Sequence, residues 1–204
     1  MRDEETGSWW QQVSGECIAG PLKGRLLNPL THDEVSFAVW KREQPEGKVL
    51  QPDERVKSKY APANWEERME KAPVVTPISA GDPLTPRALV IGIQIGKASK
   101  AYPLSKIQAN APVSDTVGGV PVVILVNEDK KSVRVFERLA DGNVLEFSAK
   151  PNSSQLIDAG TESLWDFTGK AVSGPLAGHQ LRQVKMLSDY WFDWKIYHPD
   201  TAVY

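Results

Sequence analysis

The chain is poor in the residues from which most sites are built. Of its 204 residues, one is cysteine and three are histidine. A single thiol, Cys17, excludes an internal disulfide and any zinc site that needs two thiolates. The histidines, His32, His179 and His198, are scattered and form no spaced pair, so no metal site is expected. There is no Lys/Arg-rich run and the formal net charge is −2, so nucleic acid is not an expected partner. Apolar runs such as Val120–Val126 are too short for a helix that spans a bilayer. No basic segment followed by an apolar stretch opens the chain, so no signal peptide is read in it. Gly92-x3-Gly96-Lys97 is one residue short of a phosphate loop and lacks the following Ser/Thr. No cofactor and no catalytic residue is therefore expected.

What is present is a globular composition, 41% apolar and 25% charged, and a module that occurs twice. Gly15-x4-Gly20-Pro21-Leu22-x-Gly24 has the spacing of Gly169-x4-Gly174-Pro175-Leu176-x-Gly178. Downstream, Phe37, Trp40 and Pro45 fall in register with Trp191, Trp194 and Pro199, and Val49 with Val203. Upstream, Thr6-Gly7-Ser8-Trp9-Trp10 resembles Thr161-Glu162-Ser163-Leu164-Trp165, with one residue of slippage before the glycine. Glycine supplies positive φ and proline fixes the turn, so each copy reads as two turns around a short apolar stretch. A strand is expected next, over Arg25–Leu30 or Gln180–Leu187. A helix follows, with Thr31–Glu34 as a capping box in the first copy and Ser188 as the cap in the second. Phe37 and Trp40, like Trp191 and Trp194, share one helical face that should pack on a sheet. His198-Pro199 reads as the stop of the last helix, where a helix dipole favours an imidazole.

Between Pro52 and Pro86 the chain is rich in Pro, Lys and Glu and reads as an extended connector, pinned by Trp65. From Arg87 to Asp158 the pattern is strands joined by tight turns. Ala88–Ile95 and Lys100–Leu104 form a hairpin about Gly96-Lys97. Val113–Val117, the apolar Val120–Asn127, Ser132–Arg138, Val144–Ala149 and Gln155–Asp158 continue it. The fold class is therefore mostly β (α+β): an antiparallel meander curled into a barrel-like sheet, with two short helices and a duplicated Gly-Pro-Leu turn module. Residues 1–53 read as the tail of a first repeat, 54–86 as the connector and 87–204 as meander plus second repeat. Met1-Arg2-Asp3 reads as the end of a strand, as in a processed or fragmentary chain.

Ala101-Tyr102-Pro103-Leu104, Asp115-Thr116-Val117-Gly118-Gly119-Val120-Pro121-Val122, the Gly-Pro-Leu-x-Gly segment and the closing Trp…His-Pro-Asp-Thr resemble the domain of unknown function 3179 family. The resemblance covers Arg87–Tyr204, and Met1–Asp53 looks like the tail of a further copy. It implies a prokaryotic protein of the periplasm or cell envelope, and long members with two copies of the module. Members typically carry His-Glu shortly after Tyr-Pro-Leu, where this chain has Lys106–Pro112. They also typically carry a Cys-Pro-Leu-x-Gly-like motif after the apolar strand, where this chain has Asn127–Lys131. Both places lack those residues, so the chain resembles a degenerate copy that keeps the scaffold.

The function expected is a non-catalytic scaffold or accessory subunit. Its partner would be protein, in a heteromeric complex or homo-oligomer, without a transmembrane segment of its own but able to associate with a membrane complex. Trp9, Trp10, Trp40 and Cys17 are the expected contact residues; a small buried thiol with no base beside it is not expected to be reactive. The alternative is a small-molecule binding or enzymatic domain, with Tyr102, Asp115, Trp165 and Trp191 lining a pocket. Asp115 beside Gly118-Gly119 is read as bonding turn amides.

Overall fold

The computed structural model describes every residue except Pro29, Val75, Thr76, Pro77, Ala80 and Asn152, and in it the chain divides into two units, Met1–His32 and Asp33–Tyr204. In the first unit, β1 (Trp9–Trp10) pairs antiparallel with β2 (Cys17–Ala19). The predicted strand over Arg25–Leu30, of which Pro29 lies outside the described residues, is reduced to one bridge between Leu26 and Glu16. Polar bonds organise this unit. Asp3 accepts from the Thr6 amide at 2.6 Å and from the Thr6 hydroxyl, and the Trp10 indole donates to it at 2.9 Å. The Ser8 hydroxyl accepts from the Leu22 amide at 3.2 Å. Gly20 sits at φ +99°, and a Cβ there would lie 2.7 Å from the Ser8 backbone, so the turn admits only glycine.

The second unit opens with α1 (Phe37–Glu43) and continues through a 3-10 turn at Glu54–Lys59 to α2 (Trp65–Lys71). Residues 75–77 and 80 of the predicted connector lie outside the described residues. Trp65, expected to pin this stretch, is half exposed. The strands follow: β3 (Leu89–Ile95), β4 (Ala98–Pro103), then α3 (Leu104–Asn110), β5 (Val113–Val117), β6 (Val120–Val126), β7 (Val133–Glu137), β8 (Leu139–Ala140) and β9 (Asn143–Val144). Next come β10 (Phe147–Ala149), β11 (Leu156–Asp158), β12 (Leu164–Trp165), β13 (Ala171–Ser173), β14 (Met186–Tyr190), α4 (Trp191–Tyr197) and β15 (Ala202–Val203).

The strands form separate sheets, β14-β3-β4-β15, β5-β6-β7, β8-β9 and β10-β11-β12-β13. All pairs are antiparallel except β15 with β4. The fold is mostly β, as the sequence pattern implies. No barrel closes among the described residues, because α3 leads the chain out of the first sheet before β5 begins the next.

The period of two explains the layers. On β6, Val122 and Ile124 face one core with Ile91, Ile93 and Tyr102. Val123 and Leu125 face a second core with Phe136, Trp165 and Leu181. Burial on both faces is why β6 reads as a continuous apolar run. On β3, Val90 alternates with Ile91 and joins Ala101, Trp191 and Trp194 in a third core under α4.

Two helix starts differ from expectation. Asp33 and Glu34 are extended, since Glu34 bridges to Val133, and α1 begins instead at the cap Ser36, whose hydroxyl accepts from the Val39 amide at 3.3 Å. Ser188 does not cap α4. It lies in β14 opposite Ile91, and the N-cap of α4 falls two residues later, at Tyr190, without a side-chain cap bond. Sheet pairing outbids a local cap because it satisfies several backbone groups at once.

Candidate functional site

Arg134 lies on β7 on the same face as Phe136, and its guanidinium is almost wholly buried. It donates to Asp33 at 2.7 Å and to Glu43 at 2.7 Å, and its head stands 4.7 Å from the Phe167 ring centre. Burial opposes its charge, but the bonds to Glu43 and Asp33 outweigh that and hold its pKa above the usual arginine value. With the Ser36 amide donating to Ser132 at 2.9 Å and Gln183 donating to Asp33 at 2.5 Å, both ends of α1 are fixed to the sheet. No sequence motif marked this clamp. Its partners stand about a hundred residues apart, so only the fold brings them together.

On α1 an aromatic side chain is left exposed. Phe37 is 63% exposed and stacks on Trp40 with ring centres 5.5 Å apart. A groove beside them is lined by Asp33, Glu34, Val35, Ser36 and Lys131. On α4 the equivalent side chains, Trp191 and Trp194, are 0% and 2% exposed. The first unit repeats the contrast. Leu27, which occupies the place of the buried Leu181, is 50% exposed, and Trp9 is also exposed. Trp10 is partly buried by its bond to Asp3, and Cys17 is fully buried.

Of the predicted pocket residues, Tyr102 and Asp115 meet. Lys100 Nζ lies 2.6 Å and Tyr102 Oη 2.8 Å from Asp115 Oδ2, and the Thr116 amide donates to Oδ1 at 2.7 Å. Burial alone would raise the carboxyl, but these bonds hold it below the ordinary aspartate range. Burial, then the bond to Asp115, pushes the Tyr102 phenol well above its ordinary value. Near neutral pH Asp115 is charged and Tyr102 is protonated, and their bond ties β4 to β5. Trp165 and Trp191 are buried in the second and third cores and do not join them.

The two stretches where family members are expected to carry polar residues come together. Gln108 Nε2 donates to the Lys130 carbonyl at 2.7 Å, and an open groove runs past Ala111, Pro112, Asn127, Glu128 and Lys130. Lys106–Asn110 lies in α3. Among the described residues, no three His, Cys, Asp or Glu side chains stand together as a metal site would require. His198 caps the end of α4 with its ring tilted against Trp194, and burial lowers its pKa, against the dipole expected to raise it.

Asp189 has its carboxyl pushed upward, to about 6, by burial and by the neighbouring charges of Asp193 and Glu34. A folded-state pKa above the unfolded value means that stability is full below about pH 4 and falls as pH rises towards 6. Asp189→Asn keeps an acceptor for the Tyr190 amide, 2.7 Å away. It should stabilise the chain by about 1 kcal/mol at pH 7, after discounting for solvent screening, and by nothing at pH 4. Urea titrations of both proteins at the two pH values check this; a gap that does not depend on pH would refute it.

The sequence signal that was missed lies upstream of the matched Thr-x-Ser. Asp158-x2-Thr161-x-Ser163-x-Trp165 has the spacing of Asp3-x2-Thr6-x-Ser8-x-Trp10, and it makes the same bonds. Thr161 amide and Trp165 indole donate to Asp158 at 2.7 and 3.0 Å, and the Leu176 amide donates to Ser163 at 3.0 Å. Gly174, at φ +90°, presses on Ser163 as Gly20 does on Ser8.

The sequence model of the family described as Protein of unknown function (DUF3179) matches residues 1–201. The match begins well before Arg87, so it takes in both modules. No curated protein and no solved structure matches the chain.

Proposed function

The chain belongs to the DUF3179 family, and from that premise we propose that it is a non-catalytic scaffold or accessory subunit that packs against another polypeptide. One observation carries the reading: α1 is held by the Arg134 ion pairs yet leaves Phe37 exposed and Trp40 only partly buried, while their counterparts on α4 are buried. We read the two modules as copies of one ancestral unit, of which the second packs on its sheet among the described residues. Aromatic side chains on a fixed element fit a protein interface, because little ordering entropy is lost on docking. The groove between α3 and the turn after β6 fits the same reading, as a degenerate copy that keeps the scaffold. The setting proposed is the cell envelope, beside a membrane complex. No helix among the described residues is long and apolar enough to cross a membrane, so attachment there would run through the partner.

The test is the native mass of the assembly isolated from its source, for the wild-type chain and for a Phe37→Ala/Trp40→Ala variant. The expected result is a larger complex containing another polypeptide, lost in the variant while its circular dichroism is unchanged. A monomer of unaltered mass in both cases would sink the proposal. The alternative, a small-molecule site, has less support, since its four residues do not converge.

A further inference from the structure

We infer that α1 and the segment Lys48–Leu50 form the receiving half of a joint whose other half is a β-hairpin of a different polypeptide, with a glycine facing Trp40. The inference rests on the docking role above and names what docks.

The chain contains one completed example of this joint. The pattern Phe37-x2-Trp40-Lys41-x3-Pro45-x3-Val49-Leu50 returns as Trp191-x2-Trp194-Lys195-x3-Pro199-x3-Val203-Tyr204. Both helices are seven residues long and end alike. The Gln44 amide donates to the Trp40 carbonyl at 2.8 Å and the His198 amide to the Trp194 carbonyl at 3.0 Å, with C-cap φ/ψ of −125°/67° and −131°/66°. Each indole leans on the residue two after the proline. Trp194 Nε1 donates to Thr201 Oγ1 at 3.0 Å, and a Cβ on Gly47 would stand 2.5 Å from the Trp40 ring.

What covers α4 is the β3–β4 hairpin. The Trp194 ring lies where a Cβ on Gly92 would be 2.2 Å away, so glycine is what lets the ring reach the strand. After the helix, Ala202 and Val203 pair in parallel with Lys100 and Ala101, and the Tyr204 amide donates to the Ala101 carbonyl at 3.0 Å. On α1 the same positions are open: Val49 is 64% and Leu50 95% exposed. The missing complement is therefore a sheet face with a glycine for the indole and a free strand edge for Val49 and Leu50. An intact second copy cannot supply it, because α4 and β15 already occupy the only hairpin of that kind among the described residues.

The experiment places the photo-crosslinker benzoylphenylalanine at position 37 of the full chain, in the cells that make it, with position 65 as an exposed aromatic control. It is repeated in a Leu50→Pro background, which removes the amide equivalent to that of Tyr204. Leu50 is exposed, so the fold should persist. The expected result is a crosslink from position 37, and not from 65, to a strand-patterned peptide of another protein that contains glycine. Its yield should fall at least about tenfold with Leu50→Pro. A crosslink to a helix or to a second copy of this chain, or a yield indifferent to Leu50→Pro, would overturn this inference and leave the docking role standing. No crosslink to any protein would overturn both.

Discussion

Gly92→Val should be among the most destabilising single substitutions in the chain, costing about 3–5 kcal/mol in urea unfolding. The reason is contact rather than backbone conformation. Gly92 lies mid-strand in β3, paired with Leu187 and Ala101, and its φ is not in the left-handed region. A Cβ at this position would stand 2.2 Å from the Trp194 ring, inside the third core where Trp194 is 2% exposed. The ring has nowhere to go, since its indole nitrogen is bonded to Thr201 and the tilted His198 ring lies against it with centres 3.8 Å apart. Core packing of this density transmits an added methyl as strain. The diagnostic measurement is a double-mutant cycle. Trp194→Ala alone should cost about 3–5 kcal/mol through its cavity. Combined with Gly92→Val, the loss should fall short of the sum by about 1–3 kcal/mol, because the side chain fills space the ring vacated. Strict additivity would show that the two positions do not share the contact.

That contact also marks the limit of what the sequence discloses. The hairpin about Gly96, the strand expected over Val120–Asn127, which ends one residue earlier, and the stop at His198-Pro199 were legible, because each rests on local alternation or on a turn residue acting within a few positions. The helix α3 was not. Lys106–Pro112 was read only for the residues it lacks, and a seven-residue helix has too few turns to show its period. The two helix caps were misplaced because Thr31 and Ser188 satisfy local rules that distant strand pairing overrides. The expected curling into one barrel failed for a similar reason: alternation gives each strand two faces but not the sheet it joins. At the candidate interface, Phe37 and Trp40 were visible as one face of a helix. Whether that face was covered could not be read from α1 itself, since cover comes from a hairpin elsewhere in the chain. Arg134, Asp33 and Glu43 carried no pattern at all, and a clamp between residues about a hundred positions apart becomes visible only once β7 is placed beside α1.

Asp158→Ala and Asp3→Ala remove the same set of bonds and should give very different results. Each carboxylate accepts from a threonine amide, a threonine hydroxyl and a tryptophan indole. Asp158 and Trp165 are fully buried, whereas Asp3 and Trp10 are only partly buried and within reach of water. Removing Asp158 strands donors that water cannot reach, and the expected cost is about 3–5 kcal/mol. At Asp3, water replaces the lost acceptor. The effect there is a local opening of the turn, seen as faster amide exchange at Thr6, Ser8 and Leu22. Acid tells the same story. Burial raises the Asp158 carboxyl, but the bonds from Trp165 and Thr161 outweigh it and set its pKa below the ordinary value. A depressed folded-state pKa contributes stability above about pH 4 that is lost as pH falls through it. The gap between wild type and Asp158→Ala should therefore be constant at neutral pH and close in stronger acid. Asp3, lowered to about 2 by the Trp10 indole and the Thr6 amide, should keep its turn closed down to that pH. If Asp158→Ala costs no more than a surface substitution, within about 0.5 kcal/mol, then burial does not set the worth of these bonds. The contrast between the covered and uncovered modules, on which the proposed docking rests, would then lose its energetic basis.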